Sequence, residues 1–73
     1  MQLAAIINGK KVSYPSSATF IIERARNNQS YGLLAHRDTI DRALGKFHSS
    51  RLPGHRVRLS AVDKGRAIPL ARI

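Results

Sequence analysis

The chain has 73 residues, of which 13 are lysine or arginine and four are aspartate or glutamate, so its formal net charge is +9. It contains no cysteine, which excludes disulfide bonds and thiolate zinc sites. A chain of this length forms one domain that buries about 60 % of its unfolded surface, and no segment approaches the roughly 20 apolar residues of a membrane-spanning helix. We therefore expect a single small domain over residues 1–73 that acts as a monomer in the cytoplasm, without a membrane partner.

A β-hairpin is predicted for the first fifteen residues. Asn8-Gly9 tolerates the positive φ angles of a two-residue type I′ turn. With this turn, Ile7 pairs with Lys10 and Leu3 pairs with Tyr14. This register places the larger apolar side chains on one face: Leu3, Ala5, Ile7, Val12 and Tyr14.

A first helix is predicted over Ser17–Asn28, after Pro15 has ended the second strand. Its apolar residues recur at positions i, i+3, i+4 and i+7, the spacing of one helix face: Ala18, Ile21, Ile22 and Ala25. The serine pair that follows Pro15 supplies candidate N-caps. The polar, turn-prone segment Asn27–Ser30 is expected to end this helix.

A second helix is predicted over Asp38–Phe47. Asp38 is its candidate N-cap, and Asp41 three residues later completes a weak capping box. The apolar stripe of this helix consists of Ile40, Leu44 and Phe47. The preceding segment Tyr31–Ala35 fits either a short strand or a helical turn.

The end of the chain has the pattern of a second hairpin. Residues Arg56–Ala61 alternate between polar and apolar side chains, Asp63–Gly65 is the predicted turn, and Ala67–Ala71 is the returning strand. Pro69 has no backbone N–H, which confines the returning strand to the edge of a sheet. The predicted order is β-β-α-α-β-β, an α+β fold with a hairpin, two short helices and a C-terminal hairpin.

The polar residues show no pattern typical of an enzyme. Asp38 and Asp41 are the only close carboxylate pair, and both fit a helix N-terminus, where negative charge is favourable. The histidines His36, His48 and His55 match no zinc-ligand spacing. The chain has no nucleophile elbow, P-loop or dinucleotide-binding glycine motif. We expect a protein without catalytic activity, metal or cofactor.

The strongest functional signal is a basic window, because residues Arg42–Val62 include no acid. Guanidinium groups suit carboxylates and phosphates alike, since both accept paired hydrogen bonds. In a strand, Arg56 and Arg58 would lie on the same face, opposite Val57. The candidate partner-binding residues are Arg42, Lys46, Arg51, His55, Arg56 and Arg58.

The basic window leaves two classes of partner open. One is an acidic protein surface, and the alternative is DNA or RNA bound through its phosphates. Single-strand binders usually interleave bases with aromatic side chains, but Tyr14, Phe20 and Phe47 are expected in the core, which leaves only Tyr31 free. The predicted helices are also too far apart in sequence for a helix-turn-helix, which needs a turn of about 3–4 residues.

The run MQLAAIINGKKVSYPSSATFIIERARNN, together with the size of the chain, resembles small phage-encoded transcription regulators that bind the host bacterial RNA polymerase. The resemblance covers the full length, rests on no diagnostic motif and transfers no binding residue position by position. It implies a non-enzymatic protein that contacts the large β′ subunit of the polymerase. Such a protein would inhibit initiation by interfering with the promoter-specificity factor σ, and suppression of termination is a second implied activity.

Overall fold

A computed structural model describes residues 1–73. Its elements, in chain order, are β1 (Gln2–Ile7), β2 (Lys10–Pro15), β3 (Thr19–Arg26), β4 (Gly32–Arg37), α1 (Ile40–Ser49), β5 (His55–Asp63) and β6 (Arg66–Arg72). Strands β1 and β2 form a two-stranded sheet, and the other four form an antiparallel sheet in the order β4-β3-β5-β6. The α+β class is confirmed, but there is one helix instead of two. Helix α1 has ten residues, and no helix of the protein is long and apolar enough to cross a membrane.

The predicted N-terminal hairpin is confirmed with its register. Asn8 and Gly9 have φ angles of 53° and 79°, as a type I′ turn requires. Ile7 pairs with Lys10, and Leu3 pairs with Tyr14. Because side chains alternate along a strand, this register turns Ile7 and Tyr14 inward, and both are buried.

The predicted helix over Ser17–Asn28 is wrong, because this segment contains the central strand β3. Residues 19–22 are all β-branched or aromatic, a composition that favours strands. Of the residues expected on one helix face, Ile22 enters the core, whereas Ile21 and Ala25 lie on the opposite face of the sheet. The helical spacing therefore reflects a central strand that is at least half-buried on both faces, a pattern that periodicity cannot separate from a helix.

The segment that fitted either a strand or a helical turn forms β4. Its pairing with β3 skips Leu34, which is the extra residue of a β-bulge. Helix α1 then begins at Ile40, and its N-cap is Thr39 instead of the predicted Asp38. The Thr39 hydroxyl accepts a hydrogen bond of 3.3 Å from the Arg42 backbone N–H.

The C-terminal hairpin is also confirmed. Lys64 and Gly65 form its turn with φ angles of 51° and 77°. Pro69 lies in β6, and this strand forms one edge of the four-stranded sheet, as its missing N–H requires. The pairing of β5 with β6 skips Leu70, so a bulge changes the register in the second half of the hairpin.

The hydrophobic core lies on one face of the four-stranded sheet. Helix α1 contacts β3, β4 and β5, and strand β2 of the N-terminal hairpin contacts β5 and β6. The largest fully buried side chains are Phe20, Phe47, Ile22, Leu59 and Val57. No helix or strand covers the opposite face, which we call the open face. The sheet therefore presents the side chains of Ile21, Glu23 and Arg58 away from the core.

Candidate functional site

The basic window does not form one surface. Arg42 and Lys46 lie on α1, and Arg51 lies in the loop that follows it, on the core side of the four-stranded sheet. Arg56 and Arg58 lie on β5 and point to the open face. We call the first group the helix–loop surface (Arg42, Lys46, Arg51) and the second, with two neighbours, the Tyr31 surface (Tyr31, Arg56, Arg58, Arg72).

The cations of the helix–loop surface have no partner within the protein. Arg42 and Lys46 are four residues apart and therefore neighbours on α1. Neither these side chains nor that of Arg51 donates a hydrogen bond or contacts a carboxylate in the fold. Next to Arg51, the side chain of Leu52 is 43 % exposed. This surface thus combines free positive charge with an exposed apolar side chain.

The loop after α1 is held in place by backbone hydrogen bonds. The His55 N–H donates to the carbonyl of Leu52 at 3.1 Å, and the Asn27 N–H donates to the carbonyl of Gly54 at 3.1 Å. His55 is half-buried, with its ring Nδ1 3.0 Å from the carbonyl oxygen of Pro53. His55 therefore contributes to the structure of the loop, between the two basic surfaces. The loop also lines a groove of about 540 Å³ that includes Arg51, Leu52 and Ile73.

Two guanidinium groups of the Tyr31 surface, those of Arg56 and Arg58, are held by neighbouring side chains and backbone. The central carbon of Arg58 lies 4.0 Å from the centroid of the Tyr31 ring, and that of Arg56 lies 5.0 Å from it. Arg56 Nη2 donates a hydrogen bond of 2.8 Å to the Gln29 carbonyl. The aromatic ring and the loop before β4 therefore fix both arginines beside one another.

Glu23 and Arg58 form a cross-strand ion pair on the open face. Arg58 Nε donates a hydrogen bond of 2.8 Å to Glu23 Oε1, and the Glu23 side chain is only 17 % exposed. This hydrogen bond raises the pKa of Arg58 above its ordinary value. Arg58 is the only lysine or arginine that contacts a carboxylate.

Two residues of the open face, Arg72 and Glu23, are not among the candidate residues predicted from the sequence. Arg72 lies directly opposite Arg58 across β5 and β6, because the bulge at Leu70 shifts the register by one residue. A regular hairpin would have placed Ala71 there, so the sequence carried no signal for Arg72. Glu23 lies within the segment predicted as a helix, and only the strand assignment brings it next to Arg58.

A shallow groove on the open face links these residues. It has a volume of about 330 Å³ and lies between the Tyr31 ring and the edge strand β6. Arg58, Ser60, Pro69 and Arg72 are among the residues that line it. Positive charge, an aromatic ring and small side chains thus border one concave surface.

The remaining titratable residues do not gather into a site. His36 lies on β4, His48 on α1 and His55 at the start of β5, and no three histidine or acidic side chains meet in a group that could hold a metal ion. His36 Nδ1 is 4.0 Å from Asp38 Oδ1, at the exposed end of β4.

Comparisons with known proteins identify no family for this chain. No protein-family model matches the chain, and no curated protein or solved structure with significant similarity to it was found. Function is therefore inferred from the two basic surfaces and from the resemblance of the N-terminal run.

Proposed function

We propose that the chain is a non-enzymatic transcription regulator that binds host bacterial RNA polymerase through its helix–loop surface. The observation that carries this proposal is the set of cations without internal partners, Arg42, Lys46 and Arg51. Their side-chain donors make no internal hydrogen bond, and a net charge of +9 favours encounter with an acidic surface.

The composition of this surface suits a protein partner. Arginine is enriched among the residues that dominate binding energy at protein interfaces, usually beside apolar side chains that exclude water. Here Arg51 lies next to the exposed Leu52, in a loop whose backbone is already ordered by hydrogen bonds to Gly54 and Leu52. An ordered loop loses less conformational entropy on binding than a flexible one.

The resemblance to phage-encoded regulators supplies the identity of the partner. The proposed target is the β′ subunit of the polymerase in the cytoplasm of the bacterial host. Binding there would inhibit initiation by interfering with σ, and suppression of termination would follow from the same complex. In this proposal the protein acts by occupying a surface and requires no catalytic group.

The proposal is tested by capturing purified host RNA polymerase on the immobilised full chain at moderate salt. We expect the wild-type chain to retain the polymerase, with β′ identified by crosslinking and mass spectrometry. The triple variant Arg42→Ala/Lys46→Ala/Arg51→Ala should lose most of this binding, because the few residues that dominate an interface, in which arginine is enriched, each cost about 2 kcal/mol or more on truncation.

The matched control removes three exposed lysines near the tips of the two hairpins: Lys10→Ala/Lys11→Ala/Lys64→Ala. This variant has the same net charge as the first, so it should retain the polymerase if the location of the charge matters. Failure of the wild-type chain to capture any polymerase subunit would exclude the proposal. Equal loss in both triple variants would reject the helix–loop surface as the docking site.

A further inference from the structure

We propose that the open face of the four-stranded sheet binds single-stranded nucleic acid through the Tyr31 surface. This site is separate from the helix–loop surface, since the four-stranded sheet and the core lie between the open face and α1. Single-stranded nucleic acid is bound by basic grooves that follow the backbone, with aromatic side chains on which bases stack. The open face supplies both features around Tyr31.

Planar groups are already assembled at this position. The Arg58 guanidinium lies 4.0 Å from the Tyr31 ring centroid, and the Arg56 guanidinium lies 5.0 Å from it. Bases stack on tyrosine rings and on arginine guanidinium planes. Because Gln29 and Glu23 anchor the two arginines, the stacking groups are ordered before a ligand arrives. Little conformational entropy is then lost when a base stacks on them.

Enough hydrogen-bond donors remain for phosphates. Arg58 uses only Nε in its bond with Glu23, and Arg56 uses only Nη2 in its bond with Gln29. Arg72, directly across from Arg58, has no side-chain hydrogen bond and contacts no carboxylate. The groove beside Tyr31 therefore offers free guanidinium donors along one border.

The shape of the open face favours a single strand over a duplex. Four strands spaced about 4.8 Å apart make a face about 14 Å across, which is wider than the roughly 12 Å major groove of B-DNA. A single strand laid along the shallow groove can place its bases on Tyr31 and its phosphates on Arg56 and Arg72. An acidic protein segment could use the charges, whereas a nucleic acid base can in addition stack on the ring and on the guanidinium planes.

The test is fluorescence anisotropy with labelled oligo(U), oligo(dT) and a duplex of the same charge, over a range of salt concentrations. We expect both single strands to bind more tightly than the duplex. The double variant Arg56→Gln/Arg72→Gln should lower the slope of log K against log salt by about 1.4, since each phosphate contact on a single strand contributes about 0.7. The matched variant Arg42→Gln/Arg51→Gln, on the helix–loop surface, should leave the slope unchanged.

Stacking is tested at Tyr31 itself. Tyr31→Leu should weaken binding of oligo(U) by about 5-fold or more, because a stacked base contributes about 1–3 kcal/mol by substitution. Tyr31→Phe keeps the ring and should bind almost like the wild type. Circular dichroism of each variant checks that the sheet is intact, and amide NMR shifts on β3, β5 and β6 locate the ligand.

Three results would overturn the proposal. The first is a duplex or poly-glutamate that binds as tightly as oligo(U), since either would indicate a general anion surface or a protein-binding surface. The second is an equal loss of slope in the Arg42→Gln/Arg51→Gln control. The third is no binding of oligo(U) at about 50 mM salt, where phosphate contacts are strong. None of these results depends on polymerase binding, so the two proposals succeed or fail separately.

Discussion

The helix–loop surface and the Tyr31 surface carry similar positive charge on opposite sides of one sheet, yet the fold treats their cations differently. Arg42 and Arg51 are exposed, Lys46 is partly buried, and none of the three side chains has an internal partner. Arg56 and Arg58 are each held by a hydrogen bond and by the Tyr31 ring. The difference teaches that a run of like charge determines the strength of the electrostatic attraction for an acidic partner. The neighbours of each cation determine which ligand that cation can recognise.

The separation of the two surfaces follows from the path of the chain. Residues 42–51 belong to α1 and the next loop, on the core side of the sheet. When the chain enters β5, alternation turns Val57 and Leu59 into the core and Arg56 and Arg58 to the open face. A window that is continuous in sequence is thus divided by the sheet itself.

The largest effect on the free energy of unfolding is expected when two adjacent residues of β3, whose side chains lie on opposite faces of the sheet, are compared by substitution. Ile22→Ala should lower the free energy of unfolding by about 2–5 kcal/mol, because this side chain is fully buried and its removal leaves a cavity. Ile21→Ala should cost clearly less, since Ile21 is only half-buried on the open face. Urea unfolding followed by circular dichroism measures both. Equal losses would contradict the assignment of one covered and one open face.

The next effect concerns the start of α1, which orients the helix–loop surface. Thr39→Ala removes the hydroxyl that accepts the Arg42 N–H and should cost about 1 kcal/mol of stability. Asp38→Ala lies outside the cap and should cost a few tenths of a kcal/mol at most, comparable with other exposed positions. Thermal unfolding of the two variants distinguishes them. A larger loss for Asp38→Ala would restore the cap that the sequence had indicated.

These examples show which parts of the fold can be predicted from the sequence. Both hairpins can be predicted, because their two-residue turns, Asn8-Gly9 and Lys64-Gly65, are determined by local sequence and adopt the positive φ angles of such turns. Strand β3 cannot be predicted, because its partner β5 is distant in sequence and because burial on both faces imitates helical spacing. The predicted class α+β is still correct although β3 was predicted as a helix, since the structure contains one helix and both hairpins.

The candidate site is less predictable than the fold. The sequence identified Arg56 and Arg58 as neighbours on one face, which alternation alone requires. It also left Tyr31 as the aromatic residue outside the core, and Tyr31 is half-buried at the surface. The meeting of Tyr31 with these arginines depends on the loop before β4, and Arg72 depends on a bulge. Such tertiary features leave no pattern in a single sequence.

A smaller change at Glu23 should affect folding and binding in opposite directions. Glu23→Gln preserves the side-chain volume but removes the charge that pairs with Arg58, so we expect a loss of stability below about 1 kcal/mol for this partly exposed pair. Binding of oligo(U) should become tighter, by up to about 5-fold, because unit charges about 4 Å apart in water interact by about 1 kcal/mol. Anisotropy and urea unfolding of the same variant measure both effects. Weaker oligonucleotide binding would show that Glu23 mainly orders Arg58 for its ligand.

The smallest effects compare single arginines of the two surfaces directly. Arg42→Ala and Arg51→Ala should change the free energy of unfolding by no more than about 0.5 kcal/mol, because neither side chain has an internal partner. Arg56→Ala should cost more, about 0.5–1.5 kcal/mol, since it removes the hydrogen bond to Gln29 and the contact with Tyr31. Chemical unfolding at one salt concentration resolves the difference. If Arg51→Ala were as destabilising as Arg56→Ala, the helix–loop cations would belong to the structure and would not be free for a partner.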